Sequence, residues 1–156
     1  DDLKVIYPGL KNHPQHSLMK KLYNKEFGFG GMLVVDTKTK EKANILMEEM
    51  QNKNIGYLAV SLGFYKTLFS APGLSTSSEI PEEERVRMGL SDGLVRISIG
   101  LDNNIERTYK LMKDCMKKEF KRWGLSNKRK TIACCQLIAG VSLIVGLESY
   151  AFLNPS

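Results

Sequence analysis

At 156 residues and 42% apolar content, the chain is long enough for one core of ordinary domain size plus an appendage. Its formal charge of +6 invites a nucleic-acid partner, yet residues 1–116 hold 16 Lys and Arg against 15 Asp and Glu, while 117–130 hold seven basic residues and one acid. A near-neutral body with one basic run excludes a basic face gathered across the fold, so no nucleic-acid partner is expected. Cys115, Cys134 and Cys135 lack metal-ligand spacing, and two adjacent cysteines rarely bridge each other, which points to a reduced, cytoplasmic chain. The opening Asp1-Asp2-Leu3-Lys4 has no apolar signal segment and no initiator Met, so the expectation is a chain that began further upstream.

Residues 3–7 form a short apolar run ended by Pro8-Gly9, the pattern of a strand entering a turn. A helix is expected next, with Pro14 in its first turn and Leu18, Met19 and Leu22 at helical spacing. Gly28-Phe29-Gly30-Gly31 leads into residues 32–35, a continuous apolar run of strand length. Asp36 or Thr37 is placed to cap the following helix, whose Ala43, Leu46, Met47 and Met50 fall on one stripe. Residues 56–62 and 67–69 read as two short strands on either side of Gly63, and 72–78 as a turn-rich loop. Pro81 and the acids after it predict a helix to about Met88, since carboxylates favour the positive end of the helix dipole. In 93–100, Leu94, Arg96 and Ser98 alternate with Val95, Ile97 and Ile99, the period-two signature of a strand with one buried face. A last helix spans about 104–120. Strands separated by helices with short connections predict an α+β fold: a small antiparallel or mixed sheet with helices on one face.

Few residues stand out chemically. His13 and His16 are three apart, which can place two imidazoles on one helix face, but a third ligand is missing and no metal is expected. The Gly28–Gly31 cluster precedes a strand, whereas phosphate loops follow one, so a close-packed turn is the reading. Arg96 sits mid-strand between apolar neighbours, where an unpaired guanidinium is costly. It should meet a carboxylate, either the protein's own or a ligand's. Ser61 and Thr76-Ser77-Ser78 lie beside turns, where small hydroxyls serve structure and ligands alike.

Taken in order, five landmarks do more than any one of them. Tyr7-Pro8-Gly9-Leu10 with His13-Pro14, Gly28-Phe29-Gly30-Gly31-Met32, Ala59-Val60-Ser61-Leu62-Gly63, Pro81-Glu82-Glu83-Glu84-Arg85, and Gly89-Leu90-Ser91-Asp92-Gly93-Leu94-Val95-Arg96-Ile97-Ser98-Ile99-Gly100 run through residues 3 to about 116. The series resembles the C-terminal part of the Cys/Met metabolism pyridoxal-phosphate enzymes. The resemblance implies the small domain of an aspartate-aminotransferase-type enzyme, folded against a large cofactor domain. Residues 1–119 would be that domain and 120–156 an unmatched tail. The implied chemistry is carbon–sulfur lyase action on a sulfur amino acid, elimination of a thiol from its γ-carbon. By the same resemblance Arg96 binds the substrate α-carboxylate, a pairing suited to the guanidinium fork, with Ser61 and Val60 in the same pocket. An apolar Val60 is similar to methionine γ-lyases, whereas cystathionine-cleaving members often carry an acid there.

Two departures accompany the resemblance. The family's Thr-His-Ser is Thr76-Ser77-Ser78 here. Nothing matches the Schiff-base lysine, the aspartate on the pyridine nitrogen or the phosphate-binding residues, so pyridoxal phosphate is implied with its binding residues outside this chain. The cofactor carries the carbanion chemistry, so this chain alone is expected to be inactive. The implied partners are the N-terminal cofactor domain, an amino-acid substrate and further copies in a tetramer. After the basic run, residues 131–153 hold only Glu148 as a charge, a length and composition that can span a bilayer. The other readings of that tail are a segment packed on the domain or a disrupted reading frame. A different class of function stays open: a non-catalytic module, membrane-tethered by the tail, that pairs with intact enzyme subunits.

Overall fold

The computed structural model describes residues 3–24, 28–74 and 79–122. Five strands, β1 (Lys4–Ile6), β2 (Met32–Asp36), β3 (Tyr57–Leu58), β4 (Leu68–Ser70) and β5 (Leu94–Ser98), form one sheet in the order β1-β2-β5-β4-β3. Only the β3–β4 pair is parallel, so the sheet is mixed. The helices are α1 (His16–Leu22), α2 (Lys40–Asn52), α3 (Glu82–Arg87) and α4 (Ile105–Arg122).

Alternation sorts the strand residues onto two faces. Leu33 and Val35 of β2, Val95 and Ile97 of β5 and Phe69 of β4 meet the α2 stripe of Ala43, Leu46, Met47 and Met50. Met112, Cys115 and Met116 of α4 close the same core. Each fully buried Leu, Ile, Met or Phe contributes about 1.5–3 kcal/mol by leaving water, so this face supplies most of the fold's cohesion. On the opposite face the β5 register sets Arg96 between Val34 of β2 and Ser70 of β4.

Both ends of β5 are anchored by a buried threonine and a close-packed glycine. Thr37 gives its hydroxyl and its N–H to the Gly93 carbonyl, each at 2.8 Å. At the other end the Gly100 N–H reaches Thr67 Oγ1 at 3.1 Å. A Cβ on Gly93 would run into the backbone of Lys38 and Thr39, and one on Gly100 into that of Lys66 and Thr67. No side chain fits where the two chains approach so closely.

The structure corrects several boundaries. Thr39, not Asp36 or Thr37, caps α2, its hydroxyl accepting from the Lys42 N–H at 3.3 Å. Thr37 is unavailable because Gly93 holds it, and Asp36 because its carboxylate accepts from Ser91 Oγ and from Lys38. Residues 56–62 pair only over Tyr57–Leu58; after the Ala59 N–H meets the Phe69 carbonyl at 3.1 Å the chain leaves the sheet. Helix α1 starts at His16 rather than at Pro14, and its Leu18 and Leu22 are 53% and 72% exposed, so that apolar stripe is not part of the core.

Candidate functional site

The most informative contact on the second face joins two residues singled out in the sequence. Arg96 donates from Nη2 to the Val60 carbonyl at 2.6 Å. Val60 follows β3, and β4 lies between β3 and β5, so the arginine reaches across one strand to make this bond. Ser61 is the next residue and is exposed. The geometry thus brings Arg96 and Val60 together through a main-chain oxygen, with Ser61 adjoining them.

The ion pairs among the described residues are Lys38–Asp36, Arg85–Asp92 and Arg87–Glu84, and Arg96 is in none of them. Of the two partners expected for Arg96, a carboxylate of the protein or one of a ligand, the first is not found among the described residues. A carbonyl takes one of the five N–H donors of a guanidinium, which leaves its planar fork with capacity for a carboxylate.

Around Arg96 the chain is firmly set. Asp36, at the end of β2, accepts from Ser91 Oγ at 2.5 Å and from the Lys38 N–H and Nζ at 2.8 and 2.9 Å. Burial pushes its carboxyl upward, but the bonds from Ser91 and Lys38 outweigh that and hold it below the usual carboxylate range. Arg85 of α3 pairs with Asp92 at 3.0 Å, fastening the turn that feeds β5. These contacts were not anticipated from the sequence; the Ser91-Asp92-Gly93 turn was the available signal, since Ser and Asp beside Gly bond nearby backbone and side chains.

Beside Val60 an open groove of about 310 Å³ runs between α2 and the β3–β4 edge, with Met47, Glu48, Gln51, Leu58, Val60 and Ser70 among its walls. The Ser70 hydroxyl is buried and has no hydrogen-bond partner among the described residues. Tyr57 and Leu58 of β3, and Val60, Leu62, Phe64 and Tyr65 in the segment that follows it, are exposed.

The remaining candidates are placed as follows. Phe29 of the glycine cluster stacks on Tyr23 and His16, and Tyr7 donates to the Gly30 carbonyl at 2.9 Å, so the cluster is a packed turn. His16 Nδ1 sits 2.9 Å from the Pro8 carbonyl and His13 Nδ1 accepts from the Gln15 N–H, so each ring is engaged with nearby backbone. No group of three metal-ligating side chains occurs among the described residues. Thr76-Ser77-Ser78, Cys134, Cys135 and the 131–153 segment lie outside the described residues. Among those described, no helix is long and apolar enough to cross a membrane.

Comparison with known proteins gives a consistent setting for this geometry. The methionine gamma-lyase of Arabidopsis thaliana is 49% identical over 108 residues, 69% of this chain and 24% of that protein. The cystathionine gamma-lyase of Bacillus subtilis is 38% identical over 99 residues, 64% of this chain and 24% of that protein. The chain thus spans about a quarter of the length of the relatives it matches. Among solved structures, the cystathionine gamma synthase of Xanthomonas oryzae in complex with cystathionine superposes with a TM-score of 0.63 at 27% identity, over 74% of this chain and 28% of that one. A Campylobacter jejuni structure assigned as an O-acetylhomoserine (thiol)-lyase, which carries pyridoxyl-lysine phosphate, gives 0.63 at 32% identity over 74% of this chain and 27% of that one. The profile described as Cys/Met metabolism PLP-dependent enzyme matches residues 3–118, and the chain belongs to that family.

Proposed function

We infer that residues 1–119 are the C-terminal domain of a pyridoxal-phosphate-dependent carbon–sulfur lyase of the methionine γ-lyase type, supplying the substrate-carboxylate side of its pocket. The observation that carries this is Arg96: a guanidinium in mid-sheet, outside every ion pair among the described residues, steadied by the Val60 carbonyl and facing away from the helical core. A bidentate guanidinium is suited to fixing an amino acid by its carboxylate, which orients the rest of the substrate. Val60 and Ser61 would line the same pocket. The 49% identity to the Arabidopsis methionine gamma-lyase supports a thioether substrate, and an uncharged Val60 side chain suits one.

Among the described residues, the walls of the groove beside Val60 do not fit pyridoxal phosphate. Lys38 is tied to Asp36 and Lys66 to the Tyr57 hydroxyl, and the groove residues include no cation to meet a phosphate. The cofactor would be held by polypeptide beyond this chain, and the exposed apolar residues between Tyr57 and Tyr65 are where we place its contact. A cytoplasmic setting and assembly with further copies follow from the same reading.

A chimera tests it: residues 3–118 replace the matched segment of the Arabidopsis methionine gamma-lyase. The expected result is a cofactor-loaded enzyme that releases thiol from methionine. A folded, cofactor-loaded chimera that leaves methionine untouched would overturn the reading.

A further inference from the structure

The Ser70 hydroxyl is the one buried side-chain oxygen among the described residues without a hydrogen-bond partner. Ser70 is 5% exposed and stands directly opposite Arg96 in the antiparallel β4–β5 pair. Directly paired residues share a face, with Cβ atoms about 4.5–5.5 Å apart. Arg96 reaches Val60 across β4, and Ser70 is its register partner on that strand. A buried hydroxyl without a partner is costly, so its occurrence opposite an arginine calls for a use.

We propose that Ser70 is a positioning residue for Arg96, its hydroxyl accepting a guanidinium N–H when the fork turns from the Val60 carbonyl to a carboxylate ligand. The arginine then has two seats. With no ligand it rests on Val60 and leaves Ser70 unused. With a carboxylate on the fork, Ser70 Oγ takes an N–H directed down toward β4 and holds the plane steady. A small side chain is needed here as well, because a bulky one would lie in the path of the arginine. This rests on reading Arg96 as the carboxylate clamp.

The test uses the full 156-residue chain, labelled with ¹⁵N at arginine and titrated with sodium acetate at constant ionic strength. The Arg96 Nε–Hε resonance reports ligand binding at that side chain alone, which a merely structural role for Ser70 would not alter. Acetate is expected to shift it saturably. Ser70→Ala should weaken that binding roughly tenfold, as loss of a hydrogen bond to a charged group does. Ser70→Thr, which keeps the hydroxyl, should stay within about twofold of the native chain, the small change left by a partner that is retained. Acetate binding by Ser70→Ala equal to the native chain, or by Ser70→Thr as weak as Ser70→Ala, would overturn the role of Ser70 while leaving the clamp standing. An Arg96 resonance that acetate never shifts in the native chain would remove the clamp, and Ser70 with it.

Discussion

Asp36 shows how one side chain links the site to stability. Its carboxyl is held below the usual range by Ser91 and Lys38 against the upward push of burial. A lowered carboxyl value means that stability is present above the unfolded value, near pH 4, and is lost as pH falls through the lowered folded one. Asp36→Asn should therefore melt below the native chain at pH 7, and the gap should narrow below pH 4. A gap of constant size across that range, followed by thermal melts, would contradict the assignment. Arg96 has a different character, since its partner is a neutral main-chain carbonyl.

At the scale of elements, α2 and α1 make a contrast that a single pair of variants can check. Leu46 is wholly buried against the sheet, while Leu22 is exposed at the end of α1. Leu46→Ala should cost about 2–5 kcal/mol by denaturant unfolding. Leu22→Ala should fall within about 0.5 kcal/mol of the native chain. Gly93→Ala should destabilise by about 1–3 kcal/mol or more, because its methyl would force the Lys38–Thr39 backbone away from β5. Unfolding midpoints equal to the native chain would contradict that packing. The α2 stripe and the β5 alternation were legible because burial at periods of 3.6 and 2 is written in residue type. The α2 cap was not, since 36–39 offers three capping residues and only the fold reveals that Gly93 and Ser91 take the first two. For the site, Arg96 was legible as a charge in an apolar strand. Its bond to Val60 was hidden, because a backbone carbonyl leaves no mark in the sequence. Ser70 was hidden too, since its place opposite Arg96 depends on a register that two short strands do not declare.

For the whole molecule, the family match over residues 3–118 and the mixed sheet agree with each other and with the family and α+β fold implied by the sequence motifs. The chain by itself should give no saturable absorbance change with pyridoxal phosphate, because the proposed reading places the residues that hold the cofactor in polypeptide beyond this chain. A stoichiometric, tightly saturating signal would show that a cofactor site had been overlooked. The reading as a non-catalytic module differs in what it requires of the exposed apolar residues between Tyr57 and Tyr65: stable pairing with intact enzyme subunits, seen as co-elution with a full-length relative. Lack of co-elution would count against that module. The central claim is that Arg96 fixes the substrate carboxylate, and Arg96→Lys in the methionine gamma-lyase chimera tests it most directly, with kcat/KM and melting temperature taken on one preparation. The charge stays and the fork is lost, so kcat/KM should fall by roughly 10²-fold, about 3 kcal/mol, with cofactor absorbance and melting temperature nearly unchanged. An unaltered kcat/KM with a lowered melting temperature would contradict it and make Arg96 a structural residue.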